Sequence, residues 1–236
     1  MAEIEIEGLG KRFGTVQALD RLDLEIDSGE IVALVGPNGS GKSTLLRILG
    51  TIVLPDSGRV RVAGHDAVAD PAAVRRSLGV MLGDERSSYW RISGRRNLEF
   101  FAALHGMRRG EAADRAAALL GDLGLAEVAD RPVSGYSSGM RVKLSLARAL
   151  LGEPSILLLD EPTASLDPVA AERFRELVER LAGERGATVL LTTHDLAEVA
   201  SVASRVVGLS SGRVAFDRHG GADPEGLRAA LEEVTG

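Results

Sequence analysis

The sequence predicts an α/β fold: a mostly parallel sheet with helices on both faces, an antiparallel β part at the N-terminus, and a helical subdomain inserted in the middle. Three observations carry this. Short β-type runs crowd the start of the chain, punctuated by Gly29 and Gly58. A stretch from about Ser93 to Leu151 places apolar residues at helical spacing. The last third alternates strand-like apolar runs with helical patterns, the order that builds a parallel sheet. The 236 residues suffice to bury about 70% of the unfolded surface. They are expected to form a single domain over 1–236, with the helical subdomain at about 93–151.

In order, the β-type runs are Ile4–Ile6, Leu22–Ile26, Ile31–Val35 and Val60–Val62, and Leu45–Leu49 reads as helical. Within the helical stretch, Ala112, Ala116, Leu119, Leu120 and Leu123 share one face, and Met140, Leu144, Ala147 and Leu151 share another. A buried strand, Ile156–Leu159, precedes a helix carrying Ala170, Phe174, Leu177, Val178 and Leu181. A strand Thr188–Thr192, a helix near Leu196–Ala203, and strands Arg205–Leu209 and Arg213–Phe216 follow. Asp223-Pro224 reads as an N-cap with proline at the first helical position. It predicts a C-terminal helix over about 223–235, with Leu227, Ala230, Leu231 and Val234 on one side.

Composition excludes several classes. There is no cysteine, so disulfides and thiolate metal sites are out. The net charge of −6 argues against a nucleic-acid partner. Apolar runs such as Ile156–Leu159 fall far short of the ~20 residues of a membrane span. The opening MAEIEIEG lacks the basic start and apolar stretch of a secretory signal, so a cytoplasmic location is expected.

Gly36-Pro37-Asn38-Gly39-Ser40-Gly41-Lys42-Ser43-Thr44 matches G-x-x-x-x-G-K-[ST] in full, between an apolar run and a helical one. Glycines let backbone N–H groups turn inward around phosphate oxygens, and the helix N-terminus adds its positive dipole. Lys42 is expected to reach the β- and γ-phosphates of a nucleotide and Ser43 to offer its hydroxyl to Mg²⁺. The chain has only three lysines, Lys11, Lys42 and Lys143, which sharpens the match.

Asp160 and Glu161 end the apolar run Ile156–Leu159. Alone, a strand ending in two acids is an ordinary solvated end. Beside a phosphate loop, Asp160 is expected to hold Mg²⁺, usually through its water shell. Glu161 is then placed to polarise the attacking water as general base.

Further segments stand in a fixed order around these. Tyr136-Ser137-Ser138-Gly139-Met140 lies about 20 residues before the acidic pair, followed by Ala164-Ser165-Leu166-Asp167 and Thr192-Thr193-His194-Asp195, with Phe13 near the start. With the phosphate loop and the acids, they resemble the nucleotide-binding subunits of ATP-binding-cassette (ABC) transporters, type-two exporter-like group, from about Ile4 to Phe216. In that resemblance Ser137 and Gly139 belong to the signature, usually Leu-Ser-Gly-Gly-Gln, Asp167 to the D-loop, and His194 is the switch histidine.

The resemblance implies a P-loop NTPase core. It implies that two chains sandwich two ATP, each between one phosphate loop and the opposite chain's Ser137 and Gly139. A self-pairing chain would form a two-fold, isologous homodimer. His194 would bond the γ-phosphate and help position Glu161 and water, Asp167 would link the two sites, and Phe13 would stack on adenine. The catalytic set is Glu161, His194 and Lys42. Taken singly, Phe13 would be a core aromatic, His194 a surface histidine, and Ser137-Ser138-Gly139 a helix cap.

The sequence departs from the family at the strand end near Leu82, where a glutamine normally contacts Mg²⁺ and water. The only glutamine is Gln17, and Gly83 or Asp84 stands in the expected place. Either Asp84 or Glu85 takes over part of the contact, since a carboxylate also binds hydrated Mg²⁺, or the loop omits it and hydrolysis tolerates the loss. Ser138 and Met140 also depart from the signature, in the manner of type-two exporters. With Glu161 and His194 present, a hydrolytically competent site is expected.

Ser87–Ile92 holds the only tryptophan and one of two tyrosines. In the family this segment borders the groove that receives the membrane subunit's cytoplasmic helix, and exposed aromatics suit an interface; the alternative is a local plug under the helical subdomain. Arg95-Arg96-Asn97-Leu98-Glu99-Phe100 resembles the start of that subdomain in exporters of drugs, glycans, lipids or peptides. The implied activity is hydrolysis of Mg²⁺-ATP that powers transport, in the export direction, through separate integral membrane subunits at the inner face of the cell membrane. The rival readings are an ATP-binding regulatory module with little turnover and a non-transport cassette ATPase. A phosphate-loop kinase would leave Ser137, Gly139, Asp167 and His194 unexplained.

Overall fold

The computed structural model describes residues 2–82, 88–195, 199, 201–220 and 226. Asp84 and Glu85 lie outside the described residues, as does the expected C-terminal helix apart from Gly226. Of the helix expected near Leu196–Ala203, Val199 and residues 201–203 are described.

Two sheets form the frame. β1 (Ala2–Phe13) and β2 (Val16–Asp27) pair antiparallel, with Ile4 opposite Ile26 and Ile6 opposite Leu24. β4 (Ser57–Val62) and β5 (His65–Asp66) extend that sheet to the order β2-β1-β4-β5. β1 and β2 run 12 residues each, longer than their apolar runs suggest. The cause is a series of register shifts between Ile6 and Arg12, which break the two-residue alternation that marks a strand in sequence.

The second sheet has the order β10-β9-β3-β8-β7-β6. Its strands are β3 (Ile31–Val35), β6 (Leu78–Met81), β7 (Ile156–Asp160), β8 (Thr188–Thr192), β9 (Arg205–Ser210) and β10 (Arg213–His219). Only the β10–β9 pair is antiparallel. β7 and β8 are buried at every position, which is why they read as continuous apolar runs.

Helices cover both faces of this sheet. On one face, Val32, Leu34, Leu158 and Leu190 pack with Leu45 and Ile48 of α1 (Lys42–Leu49) and with Ile4 and Leu24 of the antiparallel sheet. On the other, Val35, Leu157, Leu159 and Leu191 share a core with Leu119 of α4 (Arg109–Asp122), Leu144 of α5 (Ser138–Ala149) and Phe174 of α6 (Pro168–Arg185). α3 (Gly94–Leu104) adds Leu98 and Ala102 to that core. A helix the periodicity does not reveal, α2 (Pro71–Ser77), is too short to show one; its start is marked by Asp70, whose carboxylate accepts from Ala73 N at 3.1 Å, and by Pro71.

Candidate active site

The site lies at the carboxyl ends of β3, β8 and β7, where open α/β sheets bind ligands. After β3 the chain turns through Gly36–Ser40 into α1, whose N-cap is Gly41. Gly41 has φ of 111°, and a Cβ there would stand 2.5 Å from the Ala18 carbonyl oxygen. Gly36 has φ of 147°, and a Cβ there would strike the Leu209 carbonyl oxygen. The loop is thus wedged between β2 and β9, and both positions require glycine. No side chain caps α1, which leaves its N-terminal N–H groups facing the loop as an anion site. Asn38 and Gly39 are exposed at the loop tip, while Ser40 is buried.

Lys42 is 7% exposed, and its Nζ donates to the carbonyl oxygens of Gly36 at 2.7 Å and Pro37 at 3.1 Å. Burial pushes its pKa below the ordinary lysine value, and the charges of Glu161 and Asp160 act in the opposite direction. Ser43, in the first turn of α1, donates from Oγ to Asp160 Oδ1 at 3.2 Å. The same oxygen accepts from Thr192 Oγ1 at 2.6 Å, across the parallel pairing of β7 with β8.

Glu161, the next residue, has φ of 47°, uncommon without glycine. Its N–H donates to Thr192 Oγ1 at 3.0 Å and lies 3.1 Å from the Thr192 carbonyl oxygen. His194 Nδ1 stands 3.6 Å from Glu161 Oε1. The structure therefore brings Lys42, Ser43, Asp160, Glu161 and His194 together. Ser43, Asp160 and Glu161 line a cleft of about 900 Å³ together with Ser138 and Arg141 of α5.

Ser43 and Asp160 offer two hard oxygens side by side. That set suits Mg²⁺, which takes one or two protein oxygens and completes its shell with phosphate and water. Among the described residues no group of three His, Cys, Asp or Glu gathers for a metal.

Ser137 and Gly139 lie elsewhere. They line a second cleft of about 280 Å³ together with Asp167 and are not among the residues lining the first. Ser137 caps α5: its Oγ accepts from Met140 N at 3.3 Å, and its N–H points to Met140 Sδ at 3.4 Å. Met140 thereby stands where a capping box usually has Glu or Gln. Asp167 caps α6 by accepting from Ala170 N at 2.9 Å, with Pro168 at the first helical position.

Phe13 is not a core aromatic. It is 49% exposed at the end of β1, with the Lys11 ammonium 5.3 Å from its ring centroid. Tyr89 and Trp90 are exposed rather than plugged beneath the helices. Tyr89 sits edge-on to Phe100 at 5.1 Å, and Arg141 lies 5.7 Å from the Trp90 ring centroid. The buried Asn97 holds this segment by accepting from Tyr89 N at 2.7 Å and donating to Tyr89 O at 3.0 Å. Sequence reasoning assigned no role to Thr192 or Asn97; for Thr192 the available signal was a polar residue closing an apolar strand.

The ABC transporter family matches residues 19–164. The daunorubicin resistance ATP-binding protein DrrA3 of Streptomyces coeruleorubidus is 43% identical over 211 residues, 89% of this chain and 66% of that protein. The chain thus spans just under two thirds of that relative's length. The ABC transporter ATP-binding protein NatA of Bacillus subtilis is 37% identical, over 85% of this chain and 81% of its own length. Among solved structures, the dimeric post-hydrolysis state of an ATP-binding cassette bound to ADP and Pi matches with a TM-score of 0.83 at 28% identity, covering 92% of this chain and 98% of that one. On this evidence of sequence and fold alike, the chain belongs to the ABC transporter family and has the fold of its ATP-binding cassettes.

Proposed function

We propose that the chain is the ATP-hydrolysing subunit of an exporter, dimerising around two ATP and driving separate integral membrane subunits. The carrying observation is the convergence of Lys42, Ser43, Asp160, Glu161 and His194 at three adjacent strand ends. Lys42 exchanges its bonds to the Gly36 and Pro37 carbonyls for phosphate oxygens. The loop's N–H groups and the α1 N-terminus cradle the phosphates. Mg²⁺, held by Ser43 and Asp160, would neutralise charge on the transferring phosphoryl group. Glu161 takes a proton from the attacking water, and His194, 3.6 Å from it, orients the pair toward the γ-phosphate.

The second cleft supplies the other half of a sandwich. Ser137 and Gly139 open α5 and present its N-terminus to the nucleotide of the partner chain, with Asp167 beside them. Phe13, exposed, stacks on adenine. Tyr89 and Trp90 face the cytoplasmic helix of the membrane subunit. No described helix is long and apolar enough to cross a membrane, and the chain works at the inner face through its partner. The export direction is supported by its likeness to a drug-resistance protein.

The test is the mass in solution of Glu161→Gln with and without Mg²⁺-ATP, beside its turnover. Losing the base is expected to lower kcat by about 10²–10⁴, while ATP now holds two chains together. A variant that binds ATP yet stays monomeric overturns the sandwich of two copies. An unsubstituted chain that binds ATP without turning it over favours the regulatory reading.

A further inference from the structure

We infer that Thr192 is a positioning residue for hydrolysis, its buried hydroxyl fixing Asp160 and Glu161 relative to one another; this rests on the reading of the site as an ATPase. Thr192 is fully buried at the end of β8, directly opposite Asp160 in the parallel register. One hydroxyl serves two neighbours at once. It donates to Asp160 Oδ1 at 2.6 Å and accepts the Glu161 N–H at 3.0 Å. Its first bond orients the carboxylate that shares Ser43. Its second holds the peptide N–H of a residue with φ of 47°, a backbone state that persists only where the surroundings over-determine it.

Thr193 does not duplicate this role. Its hydroxyl accepts from Asp195 N at 3.0 Å, a local turn. Among the described residues, without the Thr192 hydroxyl the Glu161 N–H retains the Thr192 carbonyl alone and Asp160 Oδ1 retains Ser43 alone. The Asp160 carboxylate is then free to rotate and the Glu161 side chain to swing from its line to the water.

The experiment compares Thr192→Val with Thr192→Ser in the full chain. Valine keeps the shape and β-branching that suit a buried strand; serine keeps the hydroxyl. Two quantities are read: ATPase kcat and KM, and Mn²⁺ affinity by electron paramagnetic resonance with a non-hydrolysable ATP analogue. Removing a hydrogen-bond partner of a metal-ligating carboxylate typically costs about 10–100-fold in affinity or activity. Thr192→Val is therefore expected to lose about 10–100-fold in kcat and at least several-fold in Mn²⁺ affinity, with KM for ATP little changed. Thr192→Ser should recover most of both.

A Thr192→Val chain equal to the unsubstituted one in kcat and Mn²⁺ affinity overturns the inference. So does a Thr192→Ser chain that falls as far as Thr192→Val, since packing rather than the hydroxyl would then be responsible. If the unsubstituted chain fails to hydrolyse ATP, it is the ATPase reading that fails. The Mn²⁺ comparison alone then supports or overturns the hold of Thr192 on Asp160.

Discussion

Phe13, proposed above as the adenine contact, stands apart from the core. Half exposed on the antiparallel sheet, it contributes little to the core, and its ring lies under the Lys11 ammonium. Phe13→Ala is expected to weaken ATP binding by about 1–3 kcal/mol, the usual worth of one stacked base. Stability should stay within about 0.5 kcal/mol, as for surface substitutions generally. Calorimetric titration with ATP and a thermal melt check the two halves; an unchanged affinity would remove the ring from the adenine site. Lys42 is the opposite case: the side chain proposed to bind phosphate is buried and bonded to its own loop.

At the scale of elements, the phosphate loop is shaped by what surrounds it. Gly41 closes against the Ala18 carbonyl and the Leu19 side chain of β2, so the antiparallel sheet forms one wall of the loop. Gly41→Ala must either leave its φ of 111° or displace β2. The expected result is a loss of about 1–3 kcal/mol of stability from strain, and ATP binding weakened at least about tenfold through the displaced N–H groups. Chemical denaturation and ATP titration of the variant would show whether both move together; a variant that binds ATP normally would mean the β2 wall can yield. α5 and α6 are likewise set by their first residues, Ser137 and Asp167, whose capping bonds fix where each helix begins.

At the scale of the molecule, a network at the far side of the second sheet ties strands distant in sequence. Arg205 of β9 is almost fully buried and makes a two-pronged bond to Asp217 of β10, at 2.8 and 2.7 Å, while also reaching Glu30 and the Glu25 carbonyl. The Arg205 guanidinium holds the Asp217 carboxyl below the usual carboxylate range, against burial, which pushes it up. An unfolded aspartate titrates near ~3.9. The stabilisation is therefore fully present above that value and is lost as pH falls through the lower folded one. Asp217→Asn is expected to cost about 1–3 kcal/mol at pH 7, with the gap to the unsubstituted chain closing as the pH drops below ~4. Denaturation at a series of pH values checks this; a gap that stays constant into acid would mean the aspartate charge is not what Arg205 needs.

Much of this architecture is legible in sequence because local rules act alone. The phosphate loop announces itself since each residue type answers a specific contact, and β7 and β8 do so because burial on both faces leaves an unbroken apolar run. β1 and β2 hide half their length behind shifted registers, and α2 is shorter than two helical turns' worth of pattern. The tie between Thr192, Asp160 and Glu161 could not be read at all, because it exists only once residues 32 apart are laid in register. The exposure of Phe13 likewise depends on where the end of β1 emerges, which no alternation encodes.

The adjacency of β3, β8 and β7 has one more consequence. The glycine-rich loop, the segment bearing His194 and the strand end bearing Asp160 and Glu161 start from neighbouring strands of one sheet. Their separation is set by peptide hydrogen bonding, about 4.8 Å from strand to strand, a length that side-chain substitution does not rescale. On the function proposed above, substitutions around the exposed Tyr89 and Trp90 would therefore change what the chain docks against while the reacting groups keep their gauge. A protein built this way would be re-targeted without retuning its chemistry.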